Sequence, residues 1–360
     1  MSAAAGEPIA GGQAPKAWDE LVIRFDKGID LDRIKQLLQQ ARERGGSQES
    51  ACTLNLVAIY YSPAAYDRAQ AALEMAGTLH PCRLVALVAD EKTETDSVTA
   101  RVSVVRSGGA ISLERIVLTA TGKAVRHLES ALLGLLLPEL PLVVVWGGRT
   151  EGALLQRAVD SADRVIVDSG NRPAAALTDV AQLLARGAPI GDLAWARIFP
   201  WQGLAAEVLD LPNLREHRGN IQTARVVCRG GIPAEAVLLA GWLSARVRRA
   251  KVRIDVEPGG LFDDTELSGV GPLGPPLQQG ASGMISLFEF SAPPANFALR
   301  REKNILIAEV KGDDDGEMVH RVRLPPEAPG RLLGLELKLL AGQDDLYAAS
   351  VAAGVLLLPK

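Results

Sequence analysis

The chain has 360 residues, of which 48% are hydrophobic and 23% charged, and its formal net charge is −4. This composition is typical of a globular protein long enough for two hydrophobic cores, which excludes the disordered and fibrous classes. The slight negative charge provides no overall attraction to nucleic acid or to an anionic membrane, so we expect neither as a partner.

The N-terminus and the cysteines favour a cytoplasmic protein. Residues 1–18 contain no basic segment followed by an apolar core, so they predict a flexible tail rather than a signal peptide. The most apolar run, residues 131–146, is divided by prolines into pieces too short to span a bilayer. Because Cys52, Cys82 and Cys228 are widely spaced and form no CxxC pair, we expect reduced thiols and no metal site.

Strands and helices alternate through residues 51–190, after a tail and a lead-in helix within residues 1–50. Leu31–Arg44 has the apolar spacing of an amphipathic helix. Segments 99–106 and 114–121 are joined by a loop so short that they should pair antiparallel, whereas the other strands are apolar and joined by helices. We therefore predict an α/β fold with a three-layer domain built on a mixed sheet. The other predicted elements are strands at 54–61, 83–90, 141–148 and 164–170, and helices at 64–76, 124–137, 151–160 and 175–186.

Residues 223–360 are expected to form a second domain, of the α+β class, which follows a connecting segment at 191–222. Its last three strand segments, from residue 284 onward, alternate apolar and polar residues, as in an antiparallel sheet with one exposed face. Residues 259–283 are rich in Gly and Pro and predict a long loop. The predicted elements are strands at 223–230, 251–258, 284–292, 297–312 and 317–325, a helix at 234–249, a tight turn at 313–316, and two helices within 329–357 that are broken at Gly342.

The connecting segment begins with GDLAWARIFPWQ, residues 191–202, which places Trp195 and Trp201 around Arg197. Trp and Arg dominate the hot spots of protein interfaces, so these three residues are candidates for binding a partner. The same tryptophans are equally well suited to packing between the two domains. The sequence leaves both interpretations open.

A second candidate surface lies in RVRRAKVR, where Arg246, Arg248 and Arg249 follow the predicted helix. Three arginines in so short a stretch could bind an acidic partner. Cations also complement the negative end of a helix dipole, so a solvated helix terminus explains the cluster slightly better.

An anion site is a third candidate. Gly147 and Gly148, followed by Arg149, connect an apolar strand to a helix, and backbone N–H groups in such a turn could bind a phosphate. Asp168 stands at the carboxyl end of the next strand, where ligands of open α/β sheets gather. These residues would suit an enzyme or sensor that binds a sugar phosphate or a nucleotide. Their spacing matches neither GxGxxG nor a P-loop, however, and ordinary turns explain them better.

No catalytic set can be assigned from the sequence. The four histidines are scattered and form no HExxH pair, and the chain contains neither a GxSxG elbow nor a catalytic cysteine signature. Hydrolase and transferase hypotheses therefore lack a nucleophile, and we expect neither a cofactor nor a metal.

GDLAWARIFPW, together with LPLVVVWGG, DRVIVDSG and LLAGWLSARV, resembles the OpcA family of glucose-6-phosphate dehydrogenase assembly proteins. The resemblance extends from about Asn55 to Arg246 and continues more faintly through the C-terminal helices. It implies a non-enzymatic assembly factor and allosteric activator that binds oligomeric glucose-6-phosphate dehydrogenase, in the oxidative pentose phosphate pathway that supplies NADPH. Under this interpretation Trp195, Arg197 and Trp201 would bind the enzyme, and the three arginines at 246, 248 and 249 would form a secondary electrostatic patch.

Overall fold

The computed structural model describes residues 20–25, 28–44, 50–107, 110–147, 160–171, 174–212, 214–257, 283–312, 317–324, 328–339 and 344–358. Several predicted features lie outside these residues: the tail before residue 20, most of the helix at 151–160, Gly148 and Arg149, the Gly/Pro-rich loop, the turn at 313–316, and Gly342. None of the described helices is both long and apolar enough to cross a membrane.

The first half of the chain is built on an eight-stranded sheet with the order β1-β4-β5-β3-β2-β6-β7-β8. The pairs β1/β4 and β4/β5 are antiparallel, and the other pairs are parallel, so the predicted mixed sheet is confirmed. The strands are β1 (Leu21–Phe25), β2 (Leu54–Tyr60), β3 (Cys82–Asp90), β4 (Ser97–Ser107), β5 (Ala110–Thr121), β6 (Leu142–Trp146), β7 (Arg164–Val167) and β8 (Ile190–Asp192).

Helices cover both faces of this sheet. Leu73 of one helix packs with Leu56 and Leu84 in one apolar cluster, while Ile34 of another packs with Val85 in a second cluster on the opposite face. The alternation of side chains along each strand sends neighbouring apolar residues into the two clusters, which is why the strands are apolar throughout. The helices of this half are α1 (Leu31–Arg44), α2 (Pro63–Leu79), α3 (Leu128–Leu133) and α4 (Leu177–Ala185).

The second half is built on a six-stranded sheet with the order β10-β9-β11-β12-β13-β14. Buried residues of its strands, such as Val226 and Phe288, belong to the same apolar cluster as Leu238 of a covering helix. The strands are β9 (Thr223–Gly230), β10 (Lys251–Glu257), β11 (Gly283–Ala292), β12 (Ala295–Glu302), β13 (Ile305–Lys311) and β14 (Glu317–Arg323); the helices are α5 (Leu193–Arg197), α6 (Phe199–Leu209), α7 (Ala234–Arg246), α8 (Pro329–Glu336) and α9 (Asp345–Val355).

The two C-terminal helices connect the two halves. Helix α8 returns to pack on α2, and α9 lies against both α7 and α4. We call the region where β7, β8, α5, α7, α8 and α9 converge the seam. It contains the GDLAWAR sequence.

Several sequence predictions need correction. The second sheet is not wholly antiparallel, because α7 carries the chain across so that β9 and β10 run parallel. Segment 297–312 is two strands, joined at Lys303, which adopts a φ of 52°. Helix α2 continues through Gly77 to Leu79. The strand at Leu21–Phe25 is not predicted by the sequence pattern.

The predicted helix at 124–137 is also wrong in most of its length. The structure has a 3-10 helix at Gly122–His127 and only a short α3 after it. The side-chain amide of Asn55 donates to the carbonyl oxygens of Leu137 and Leu140, and its oxygen accepts a hydrogen bond from the backbone N–H of Leu137. Helix α3 has already ended at Leu133, and Asn55 holds the backbone of Leu137 and Leu140 in the turn that follows.

Candidate functional site

The GDLAWAR sequence forms a helix whose start is fixed by Asp192. Its carboxylate oxygen Oδ1 accepts hydrogen bonds of 3.0 Å from the backbone N–H groups of Ala194 and Ser169. Its other oxygen, Oδ2, accepts a hydrogen bond of 2.9 Å from the Tyr347 hydroxyl on α9. Asp192 therefore caps α5, which is a standard use of Asp before an apolar segment, and also joins α5 to β7 and α9.

Trp195 and Trp201 are both buried, with 3% and 4% of their surface exposed. The indole Nε1 of Trp195 donates to Asp344 Oδ2 at 3.2 Å, and its ring lies 5.6 Å from the ring of Tyr347. Asp344 in turn caps α9 through its other oxygen. The indole thus packs against the first turn of α9, and this geometry favours the packing interpretation over direct contact with a partner.

Arg197 forms a bidentate ion pair with Asp168, with distances of 2.6 and 2.9 Å, and its Nη1 lies 3.3 Å from Glu235 Oε1. Its side chain is 7% exposed. Gly170 leaves room for this ion pair, because a Cβ at that position would lie 2.5 Å from Arg197 Nη1. The ion pair therefore connects β7, α5 and α7, and it uses the Asp168 carboxylate that had been a candidate for binding a ligand.

A second buried ion pair joins β7 to α8. Arg164 and Glu336 are 2.7 Å apart, and their side chains are 2% and 1% exposed. A Cβ at Gly191 would lie 2.8 Å from Arg164 Nε, so the glycine of GDLAWAR makes room for this pair. Since Glu336 ends α8, the pair joins the first sheet to the C-terminal helices.

The seam changes the acidity of several of its groups. Burial raises the pKa of Glu235 to about 7 against the attraction of Arg197. Burial likewise raises the pKa of Glu336 to about 7 against the attraction of Arg164. It also raises the pKa of Asp192 above its usual range. Desolvation of the charged form is the main cause in all three. These carboxyls therefore bind a proton at a higher pH than an exposed carboxyl does.

The basic cluster predicted from the sequence lies on the surface. Arg246 is the last residue of α7, and all three arginines are exposed. They lie at the end of a helix whose interior packs on the second sheet and on α9. Among the predicted site residues that the structure describes, these three are available to a partner. They do not join the tryptophan sequence in a single site.

The predicted anion site is partly occupied by protein. The chain order places β2 and β6 side by side where the first sheet reverses its direction of growth, which is where open α/β sheets bind ligands. Gly147 follows β6 there, and its Cβ would lie 2.5 Å from Tyr60 Cδ1, so the glycine accommodates the fully buried tyrosine ring. Its backbone N–H is already bound to the carbonyl of Ile59 at 3.0 Å. These contacts favour the plain turn over a phosphate site at Gly147.

The cysteines provide no activated thiol. Burial raises the pKa of Cys52 and of Cys82, and raises that of Cys228 to about 12. A thiol with a raised pKa is a poor nucleophile and a poor metal ligand. Within the described residues no group of three His, Cys, Asp or Glu side chains is placed to hold a metal ion.

Sequence reasoning missed the acidic partners of the seam. Asp192 could have been recognised, because Asp before LAWAR is an N-cap pattern, and Asp344 before DLYAAS is another. Glu235, Glu336 and Tyr347 carry no such signal. They are distant in sequence and reach the seam only because α7, α8 and α9 converge there.

Comparison with family models gives two adjacent matches along the chain. Residues 73–182 match the model described as the N-terminal domain of the glucose-6-phosphate dehydrogenase subunit, within OpcA. Residues 188–351 match the corresponding C-terminal domain. Together the two matches cover most of the chain.

Two curated relatives and one solved structure show the extent of the similarity. An OxPP cycle protein named OpcA from Synechocystis sp. is 28% identical over 71% of this chain and 56% of its own length. One of the same name from Nostoc punctiforme is 32% identical over 50% of this chain and 41% of its own. The chain therefore spans about half the length of the curated relatives it matches. A 3-ketoreductase from Actinomadura kijaniata superposes over 85% of this chain and 96% of its own, at 12% identity and a TM-score of 0.44, which is too low to support any inference about function.

Proposed function

The chain belongs to the OpcA family, and on that premise we propose that it binds glucose-6-phosphate dehydrogenase in the cytoplasm and promotes its assembly into the active oligomer. The family membership is the observation that carries this proposal. The two family models that match it are both described in terms of the dehydrogenase.

We propose that the chain acts by binding rather than by chemistry of its own. To activate an enzyme, a protein must bind the active conformation more tightly than the inactive one, because only differential affinity shifts an equilibrium. A tenfold difference in affinity corresponds to about 1.4 kcal/mol, which one or two interface residues can supply. The raised pKa values of the thiols and the occupation of the Gly147 turn by Tyr60 support a role that needs no catalytic group.

The surface that we propose for the enzyme is the exposed arginine cluster at 246, 248 and 249. Arginine pairs bidentately with carboxylates and is enriched in interface hot spots, so the cluster fits an acidic surface on the dehydrogenase. For Trp195, Arg197 and Trp201 we propose an indirect role. They hold the two halves of the chain in the one arrangement that presents the arginines, since their own side chains are buried.

The test is to mix the purified chain with glucose-6-phosphate dehydrogenase from the same organism. Co-elution in size-exclusion chromatography measures the complex, and substrate saturation of the enzyme measures activation. We expect a complex and a lower apparent KM or higher kcat, both weakened by salt because exposed charges are screened. The absence of both a complex and a kinetic change would refute the proposed function.

The docking surface has a matched control in the same chain. Arg246 is the last residue of α7, and Arg186, which is also exposed, is the capping residue directly after α4. Charge reversal at either position disturbs a helix terminus to the same degree. We expect Arg246→Glu, and more strongly its combination with reversals at 248 and 249, to weaken enzyme binding while Arg186→Glu leaves it unchanged. Equal effects at the two positions would move the docking surface elsewhere without refuting the function.

A further inference from the structure

One face of the second sheet is open to solvent and strongly charged. Arg225, Glu289 and Arg300 on this face have side chains 37%, 39% and 48% exposed. A depression of about 900 Å³ lies toward the end of the face that contains Thr223, Ser291 and Asn296. Beneath the charged side chains Val227 and Ile307 are 3% and 8% exposed, so an apolar centre lies under a charged layer.

The strand register fixes how these side chains are arranged across the sheet. One row runs Asp255, Val227, Leu287, Arg300, Ile307 and Arg321 from β10 to β14. The next row, two residues along each strand, runs Arg253, Arg225, Glu289, Ala298, Glu309 and Val319. Paired residues in neighbouring strands point to the same side, so both rows belong to the open face.

These rows are complementary to themselves. If a second copy faces the first about a two-fold axis parallel to the strands, between β11 and β12, then β10 meets β14, β9 meets β13 and β11 meets β12. Asp255 then faces Arg321, and Arg225 faces Glu309. Val227 faces Ile307, and both lie beneath the charged side chains. Arg300 faces Leu287 and Arg253 faces Val319, which leaves these two charges without an opposite charge across the interface. Within these two rows no like charges meet.

The alternative axis fits less well. A two-fold axis across the strands, between the two rows, would pair each residue with its neighbour two positions along the same strand. Of the charged residues in the two rows, only Arg253 and Asp255 would then face an opposite charge. The charge pattern thus selects an axis parallel to the strands.

Size and area agree with this arrangement. Small Ala298 faces the longer Glu289, so the copies can fill part of each other's depression. Six strands spaced ~4.8 Å apart and about seven residues long at ~3.3 Å per residue present roughly 650 Å². That is close to the ~800 Å² which each partner contributes to an interface of standard size.

We propose that two copies of the chain pack open face against open face as a symmetric dimer, with the axis parallel to the strands. In such an isologous interface each favourable pair occurs twice. The present ion pairs within the face, such as Arg225 with Glu289, are exposed and contribute little, so they can exchange for pairs across the interface. This inference is independent of the role in binding the dehydrogenase.

The test uses Glu257 and Arg323, which lie beside the two rows and face each other in the dimer. They stand on the opposite edge strands β10 and β14, about 24 Å apart within one chain, so they cannot pair in a monomer. Sedimentation equilibrium of the full chain should show a dimer. We expect Glu257→Arg and Arg323→Glu each to raise the dissociation constant by about tenfold, and the double variant to restore it, because the swapped charges face each other again. The exposed Arg186→Glu is the control and should leave the constant unchanged.

Cross-linking provides a second measurement that does not depend on electrostatics. The double variant Asp255→Cys with Arg321→Cys should form covalent dimers on oxidation, whereas each single variant should not. A wild-type chain that stays monomeric, or a double charge variant weaker than both single ones, would overturn the proposal. If the wild-type chain is monomeric and the charge reversals instead weaken binding of the dehydrogenase, the face belongs to the enzyme and not to a second copy.

Discussion

Helices α7 and α9 approach each other through two glycines, Gly241 and Gly354. A Cβ on Gly241 would lie 2.8 Å from the backbone nitrogen of Gly354 and closer still to the carbonyl oxygen of Ser350. A Cβ on Gly354 would meet the carbonyl of Val237 in the same way. Replacing Gly241 with Ala should therefore destabilise the chain by forcing the two helices apart.

The magnitude follows from which atoms are in the way. Ordinary contact begins at 3.4 Å, and the atoms that a Cβ at Gly241 would meet are all backbone, so no rotamer change can relieve the overlap. Overpacking costs about 1–3 kcal/mol, and this case belongs at the upper end. Alanine gains about 1 kcal/mol over glycine in helix propensity. We expect a net loss of about 2 kcal/mol in the free energy of unfolding of Gly241→Ala.

Gly203 provides the matched control. It lies inside α6, is exposed, and its Cβ would meet nothing within 4 Å. The same substitution there should stabilise the chain by about 0.5–1 kcal/mol, because only the propensity term remains. Urea denaturation of both variants measures the two changes. Effects of the same sign would refute the reasoning from close backbone approach.

Three further predictions concern the core and the seam. Trp201→Ala should lower the free energy of unfolding by about 3–5 kcal/mol in denaturant titrations, because the indole is 4% exposed; a loss below about 1 kcal/mol would contradict the packing role. Gly147→Ala should cost about 1–3 kcal/mol in the same assay, because its Cβ would overlap the buried ring of Tyr60, and a neutral result would show that the turn has room for a ligand. Burial raises the pKa of Glu336 from 4.5 to about 7, so the folded chain keeps a proton that the unfolded chain releases. Stability should thus fall as pH rises from about 5 to 8, and Glu336→Gln should remove up to ~3 kcal/mol of that fall; parallel pH profiles for the two proteins would show that this carboxyl is not involved.

Local pattern was sufficient to predict much of the fold. The amphipathic spacing of Leu31–Arg44 predicted that helix with its bounds, and the sequence also predicted the strand Thr223–Gly230 with its bounds. The short loop between two strands gave the antiparallel pair β4/β5. Prediction was wrong where distant groups take part, as at Leu137, which lies outside α3 with its backbone bound to Asn55. The periodicity of residues 124–137 contains no information about the side-chain amide of Asn55, which is 82 residues from Leu137 in sequence.

The candidate site was harder to predict because the residues that define it come from separate elements. The sequence singled out Trp195 and Arg197 correctly as unusual, but an indole and a guanidinium are suited equally to a partner and to a buried junction. Their partners Asp168, Glu235 and Asp344 decide between the two uses, and only the packing of α7 and α9 brings these residues together. Residue type thus predicted the chemistry of the contacts, and topology determined where they are made.

The distinctive residues of the GDLAWAR sequence make their contacts inside the chain. Each of its distinctive residues has a partner inside the chain: Gly191 makes room for a buried ion pair, Asp192 caps α5, and Trp195 packs on α9. A sequence with such contacts identifies the fold of the family, and its side chains cannot also contact an enzyme unless the seam opens. If the chain binds the dehydrogenase as we propose, its specificity must come from exposed residues, of which the arginines at the end of α7 are our first candidates. Seam variants should therefore reduce stability and activation together, whereas Arg246→Glu should reduce activation alone.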